Sequence, residues 1–413
     1  MNTRPTVLIL AAGENSRFFP FNTAKHKAAL EMLGEPLIVR TLRNLQENHF
    51  SDVVIVVSEK DYGGKGLSVA LQRYDLDLKI SFVLQSKPLG GGDAVLCAQE
   101  HLRERFFVIN PYYVGVGEVL ERLLKESTQN VLAATETDRP WEYGIFELDG
   151  ERVVGIIEKP EVGTEPSRLK NEVLHLLGQE FLSILKNLPS EQNSYEKALD
   201  HLIKKTTVGI VKLAIPLASL KYPWHLFDYQ SLLFSRTESS TAIDAHVSPT
   251  AVIDDTKGPV VIESGAYIGH AVKLLGPCYI GRHAYVGDFS FIRGASLEEG
   301  VVIGSNTEVA RSIFFPHSDI HFGYIADSIV GVGVTIGAGL ITANKRHDRE
   351  NVLVEVKGRK VDCGANRLGA MFGDGAKIGV RTTTMPGVIV GAAATVFPSM
   401  TVYKNVESGA VLK

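Results

Sequence analysis

The chain has 413 residues, a formal net charge of −4, and 45% hydrophobic but only 8% aromatic residues. That balance excludes a general electrostatic pull towards nucleic acid or anionic membrane, and the length predicts two or three domains with proper apolar cores. Cys97, Cys278 and Cys363 stand far apart without metal-ligand spacing, no apolar run approaches a membrane span, and the N-terminus has no signal-peptide pattern, so a cytoplasmic protein is expected.

In chain order, the first half alternates short apolar runs with amphipathic segments. "TVLILAAG", "DVVIVVS", "KISFVLQ" and "RFFVIN" read as buried parallel strands, with helical patterns such as "EPLIVRTLRNLQEN" and "GEVLERLLKEST" between them. This is βαβ order, and such sheets bind ligands at the carboxyl ends of their strands. The loop after "LILAAG" is therefore the first place to look.

After about Ser239 the pattern changes. Ile262, Ile268, Leu274, Ile280, Val286 and Ile292 recur at every sixth residue, as do Phe372, Ile378, Thr384, Val390, Val396 and Val402. A period of six is neither helical nor that of an ordinary strand; it is the mark of hexapeptide repeats in a parallel β-helix, each short strand sending one small side chain into a narrow core. The break from Phe314 to His321 and the polar stretch "KRHDRENVLVEVKGRKVDCGANR" are expected as loops thrown out of the coil, and loops on a rigid scaffold are where function concentrates. The expected division is residues 1–238, Rossmann-like α/β with a mostly parallel sheet, and residues 239–413, a left-handed parallel β-helix.

Several motifs join these halves to one family. "LAAGENSRFFPFNTAKHKAAL" carries Gly13, Arg17 and Lys27 at the spacing of a phosphate-binding turn with two cations, and "VLQSKPLGGGDAV" carries Gln85 and Gly90. "EYGIFELDG", "GIIEKP" and "LKNEV" supply Gly144, Glu158 and Asn171. In the second half "IHFGYIADSIVGVGVTIGAGLITANKRHD" places His321, Tyr324, Asp327 and Asn344 at fixed offsets, with Arg293 in "GDFSFIRGA" and Arg311 further on. Together these features resemble the bifunctional glucosamine-1-phosphate acetyltransferase/N-acetylglucosamine-1-phosphate uridylyltransferases, and more closely the archaeal-type sugar-1-phosphate nucleotidyltransferases.

The resemblance implies roles. Gly13, Arg17, Lys27, Gln85 and Gly90 would bind a nucleotide, and Gly144, Glu158 and Asn171 would line a sugar pocket. His321 would be the general base of acetyl transfer, Arg293 and Tyr324 a phosphate clamp, Asn344 a substrate-positioning group and Arg311 a neighbouring cation. Asp327 is expected to orient His321, from its nearness in sequence. Acetyl-CoA is the implied donor and a homotrimer the implied assembly.

Two departures concern the metal. The family's two magnesium-binding aspartates fall on Tyr112, in "RFFVINPYYVG", and on Ser219, with Lys221 in a glycine place. Neither a phenol nor a serine replaces a hard carboxylate ligand. Asp93, Glu118 and Asp228 are the acids that could stand in. The leading expectation is therefore an N-acetyltransferase for an amino-sugar 1-phosphate, whose first domain has lost metal-dependent catalysis. The second is an enzyme performing both reactions, forming a UDP- or dTDP-N-acetyl sugar from UTP or dTTP. The third is a nucleotide-sugar-binding scaffold.

Overall fold

A computed structural model describes residues 4–22, 26–214 and 217–413. The chain divides into two compact units, Met1–Glu14 with Leu37–Ala218, and Asn15–Pro36 with Ser219–Lys413.

The sheet of the first unit contains β1 (Thr6–Ala11), β2 (Asp52–Val57), β3 (Lys79–Leu84), β4 (Arg105–Ile109), β5 (Asn130–Glu136), β6 (Gly144–Asp149), β7 (Arg152–Glu158), β8 (Leu169–Gly178) and β9 (Val208–Lys212). Its order is β9-β5-β8-β4-β1-β2-β3, with β6 pairing β8 and β7. Strands β4, β1, β2 and β3 run parallel, and β8 is antiparallel to both β4 and β5. The four apolar runs read from sequence are β1 to β4. Three of them are buried, but β3 is only half-buried because it is an edge strand with a neighbour on one side alone. Since β1, β3 and β4 point the same way, Gly13, Gln85 and the Asn110–Tyr113 turn all leave the sheet at its carboxyl edge.

The second unit is a left-handed parallel β-helix. Each coil contributes one short strand to each of three parallel ladders: Val260–Ile262 begins a typical coil on the first, Tyr267–Ile268 on the second and Lys273–Leu275 on the third. The hexad positions fill the core. Ile262, Ile268, Leu274, Ile280, Val286 and Ile292 form one cluster with Phe372, Ile378, Val390, Val396 and Val402, and Thr384 is fully buried with them. The expected loop at Phe314–His321 is not expelled: Phe314 pairs with Val330 and Ile320, six residues on, with Ile336, so the coil passes through and stays in register. The second expected loop does leave the coil, between the paired Val330 and Phe372, and forms an antiparallel hairpin of Leu353–Val356 and Arg359–Asp362.

Residues 15–36 and 219–238 group with the β-helix, although their sequence pattern belongs to the first half. The cause is specific bonding. The fully buried Glu298 carboxylate accepts the Leu33 and Gly34 amides at 2.8 Å each, and the turn there needs the left-handed φ of 50° and 76° at these residues. Phe21 packs edge-on against Phe315 at 5.7 Å. Replacing Glu298 by Ala removes two charge-assisted hydrogen bonds, a loss on the order of 3 kcal/mol. Hydrogen exchange at Leu33 and Gly34 should then accelerate well before the β-helix core exchanges, and unchanged protection would show the turn to be held otherwise.

Candidate functional site

In the first unit, Gln85 follows β3 and is buried, its side-chain amide donating to the Gly90 carbonyl at 3.0 Å and to Asp93 at 2.8 Å. Gly90 has φ +98°, and a Cβ there would lie 2.6 Å from the Gln192 carbonyl oxygen, so the fold alone demands this glycine. Gly13 differs, because a Cβ there would meet nothing within 4 Å. No steric clash in the fold therefore requires a glycine at this position. Gly144 and Glu158 face each other across β6 and β7, and a Cβ on Gly144 would come 2.9 Å from Glu158 Oε2. Asn171 turns its Oδ1 to His175 Nε2 at 2.9 Å.

Around Asn171 lies a polar cluster not anticipated from sequence. His175 is fully buried, its Nδ1 2.6 Å from the Tyr195 hydroxyl, and burial pulls its pKa down to about 3, so it is neutral. Lys170 Nζ pairs with Glu172 Oε1 at 2.8 Å with both side chains under a tenth exposed, Thr135 Oγ1 donates to the same oxygen at 2.7 Å, and the ammonium lies 4.5 Å from the centre of the Tyr143 ring. Charged residues at alternate positions of the otherwise apolar run "LKNEVLHLL" were the available signal, since period two puts both on one face of β8.

The two expected metal positions fall one on each unit. Tyr112 is buried beside Tyr113, whose ring stands edge-on to it at 5.9 Å. The Ser219 carbonyl oxygen lies 2.6 Å from His225 Nδ1, and the Lys221 ammonium is only two residues away in sequence. Asp93 is engaged by Gln85, and Glu118 and Asp228 are exposed on their helices. Among the described residues no group of three or more His, Cys, Asp or Glu side chains is suited to hold a metal. These donors do not fit a magnesium ion bound by two carboxylates.

The signature cations Arg17 and Lys27 belong to the second unit. Lys27 Nζ donates to the Leu220 carbonyl at 2.8 Å, and burial followed by the charge of Arg17 draws its pKa down to about 8. His26, in the family's proline place, accepts the Ala28 amide at 3.1 Å, and burial holds it neutral.

On the β-helix the residues expected for acetyl transfer lie on one ladder and at its two corners. Glu308 pairs in register with Tyr324, and Arg293 with Ala310. Arg293 Nη2 donates to Glu308 Oε1 at 2.5 Å, a partner that sequence reasoning did not name. One corner further, Arg311 grips Asp327 with two bonds, Nε at 2.6 Å and Nη2 at 2.8 Å, and Asn344 Nδ2 donates to the same carboxylate at 2.5 Å. Asp327 therefore does not orient His321. His321 and Asp327 flank opposite edges of the strand Gly323–Ala326, about 13 Å long at ordinary strand rise. Both Asp327 oxygens go to the residues of the neighbouring coils instead.

His321 follows Ile320, which pairs with Ile303 and Ile336; the residues after those two are Gly304 and Gly337. A Cβ on Gly304 would lie 1.9 Å from the His321 carbonyl oxygen, so the backbones touch at this corner. The imidazole is thus exposed between two coils that carry no side chain at that position, and its ring contact in the chain is with Phe322 at 6.0 Å. Among the described residues no hydrogen bond engages either ring nitrogen. The C-terminal stretch "VRTTTMPGVIVGAAATVFPSMTVYKNV" keeps Val380, Phe397 and Tyr403 exposed.

Comparison with known proteins identifies the family of the chain. The family described as nucleotidyl transferase matches residues 6–213. The chain is 30% identical over 412 residues to a "Bifunctional protein GlmU" of Methanococcus maripaludis, covering 97% of this chain and 95% of that protein. It is 29% identical over 418 residues to a "Bifunctional sugar-1-phosphate nucleotidylyltransferase/acetyltransferase" of Sulfurisphaera tokodaii, covering 98% and 99%. Among solved structures, a UDP-glucose pyrophosphorylase in complex with UDP-glucose aligns with TM-score 0.50 and 18% identity, covering 56% of this chain and 99% of that one, which speaks for the fold alone.

Proposed function

This chain belongs to the nucleotidyl transferase family and, along its whole length, to the bifunctional sugar-1-phosphate nucleotidyltransferase/acetyltransferases, and from that premise we propose that it carries out two reactions on one amino sugar. It is a transferase. The β-helix N-acetylates an amino-sugar 1-phosphate, and the first half transfers the nucleoside monophosphate of UTP or dTTP onto the product's phosphate, an α–β phosphoanhydride bond breaking as pyrophosphate leaves. The sequence ranked acetyl transfer alone above this two-reaction reading; the full-length match to proteins described as bifunctional supports the two-reaction reading instead. The single observation that carries the acetyl half is the exposed imidazole of His321, three residues before Tyr324, which pairs in register with Glu308, the partner of Arg293.

For acetyl transfer the residues divide the work. Arg293 and Tyr324 hold the sugar phosphate, with phosphate displacing Glu308 from the guanidinium. His321 takes the proton of the acceptor ammonium, freeing the amine lone pair to attack the acetyl carbonyl as the bond to sulfur breaks. Asn344, held by Asp327, positions the acceptor. Acetyl-CoA, when bound, supplies the acetyl group and leaves as the thiol. Assembly as a homotrimer in the cytoplasm is part of the proposal.

Acetyl transfer with a first half that binds nucleotide without turnover is the second reading, favoured by Tyr112 and Ser219 at the metal positions. Two assays separate the readings. Coenzyme A release is followed with glucosamine-1-phosphate and galactosamine-1-phosphate, and pyrophosphate release from UTP and dTTP with the corresponding N-acetyl sugar 1-phosphates. Turnover in both supports the two-reaction enzyme, and turnover in the first alone the second reading. Turnover in neither sinks both.

A further inference from the structure

The hairpin expelled from the β-helix has no part in acetyl transfer as derived above. Its two-residue turn is Lys357–Gly358, both with positive φ (51° and 73°), which fixes Lys357 at the tip. The hairpin is a held arm: Asn405 Nδ2 bonds the Glu355 carbonyl at 2.9 Å, and Gly387 lies against Val352 and Val354. Its tip reaches the signature loop of the same unit, where Lys357 Nζ donates to Ser16 Oγ at 2.7 Å. Arg17, the next residue, is exposed, and among the described residues no carboxylate pairs with it. Its guanidinium lies 6.0 Å from the centre of the Tyr222 ring, and Lys221 Nζ lies 5.7 Å from the same centre. One face of that ring is stacked on Trp224 at 4.5 Å. Lys27 is close enough to Arg17 for the two charges to oppose each other.

Four cations from three separate stretches of the second unit thus converge. Gathering them costs Coulomb repulsion and the desolvation of Lys27, which a multivalent anion offsets. We propose that Arg17, Lys27, Lys221 and Lys357 form one anion site, which takes the polyphosphate of a nucleotide on side-chain cations in place of a divalent metal ion. The nucleotide part of this inference rests on the function proposed above; the anion site does not. Lys221 stands where the family has glycine, and the hairpin brings the acetyltransferase scaffold into the phosphate site of the other reaction.

The test is calorimetric titration of the full-length protein with tripolyphosphate and with UTP, each in EDTA and in excess Mg²⁺. Both ligands should bind in EDTA, with dissociation constants changed by less than about threefold when Mg²⁺ is added. Lys221→Ala and Lys357→Ala should each weaken binding by roughly tenfold, the worth of one charged hydrogen bond. Lys357 is exposed at a turn, so its variant stays informative if Lys221→Ala disturbs the 219–221 loop. A strict requirement for Mg²⁺, or wild-type affinity in both variants, overturns the proposal. Tripolyphosphate binding as tight as UTP binding would uphold the anion site while removing the support for a nucleotide ligand.

Discussion

His321→Ala should lower kcat for acetyl transfer by roughly 10²- to 10⁴-fold, the usual contribution of a positioned general base. The acceptor KM should change little, because the proposed phosphate anchor is on Arg293 and Tyr324. Arg293→Ala should show the opposite split, with KM raised by about tenfold or more and kcat less affected, since a lost phosphate contact removes binding common to ground and transition states. The geometry makes this contrast sharp. His321 is exposed at a corner flanked by Gly304 and Gly337, so truncating it opens no cavity and leaves no buried group unpaired. Steady-state kinetics with acceptor and acetyl-CoA varied in turn measures both parameters. A His321→Ala enzyme with wild-type kcat would remove the base from the proposal and leave the corner histidine without a role.

Glu172→Ala should destabilise the first unit by about 3–5 kcal/mol, because it leaves the Lys170 ammonium buried without its carboxylate. The pair is nearly inaccessible, and Thr135 also donates to Glu172 Oε1. Combining Lys170→Met with Glu172→Gln should recover more than half of the loss. No uncompensated charge then remains, and the glutamine oxygen still accepts from Thr135. The chain's two tryptophans, Trp141 and Trp224, fall one in each unit. Urea unfolding in a Trp224→Phe background therefore follows the first unit through Trp141. Equal stabilities for the single and double variants would mean that the pair is solvated in solution and contributes little.

How far the sequence could be read depended on the range of the physics involved. The hexad positions were legible because each coil repeats the same demand, one small side chain in a narrow core, and the structure buries them all, Thr384 included. The strands β1, β2 and β4 were legible for the same kind of reason, unbroken apolar runs in a sheet covered on both faces. The motif residues expected for acetyl transfer could be named from the chain as a set. Their partners could not: Asp327 is six residues from His321 in sequence, yet its carboxylate goes to Arg311 and Asn344 on the adjacent coils. Nearness along a β-helix chain runs around the coil, whereas side-chain bonding runs up and down the stack.

The sequence by itself determined the two architectures and their order, because unbroken apolar runs, period six and the βαβ alternation are local properties that survive without any partner. It also determined that carboxylates are missing from the two metal positions, since residue identity needs no fold. The tertiary structure alone decided that residues 15–36 group with the β-helix, through Glu298 and the turn at Leu33–Gly34. It alone placed Lys170 against Glu172 in a dry interior, and Lys357 against Ser16 across more than three hundred residues of chain. Such contacts depend on which surfaces are brought to within a few ångströms when the cores close-pack, and no periodicity in the chain encodes that distance.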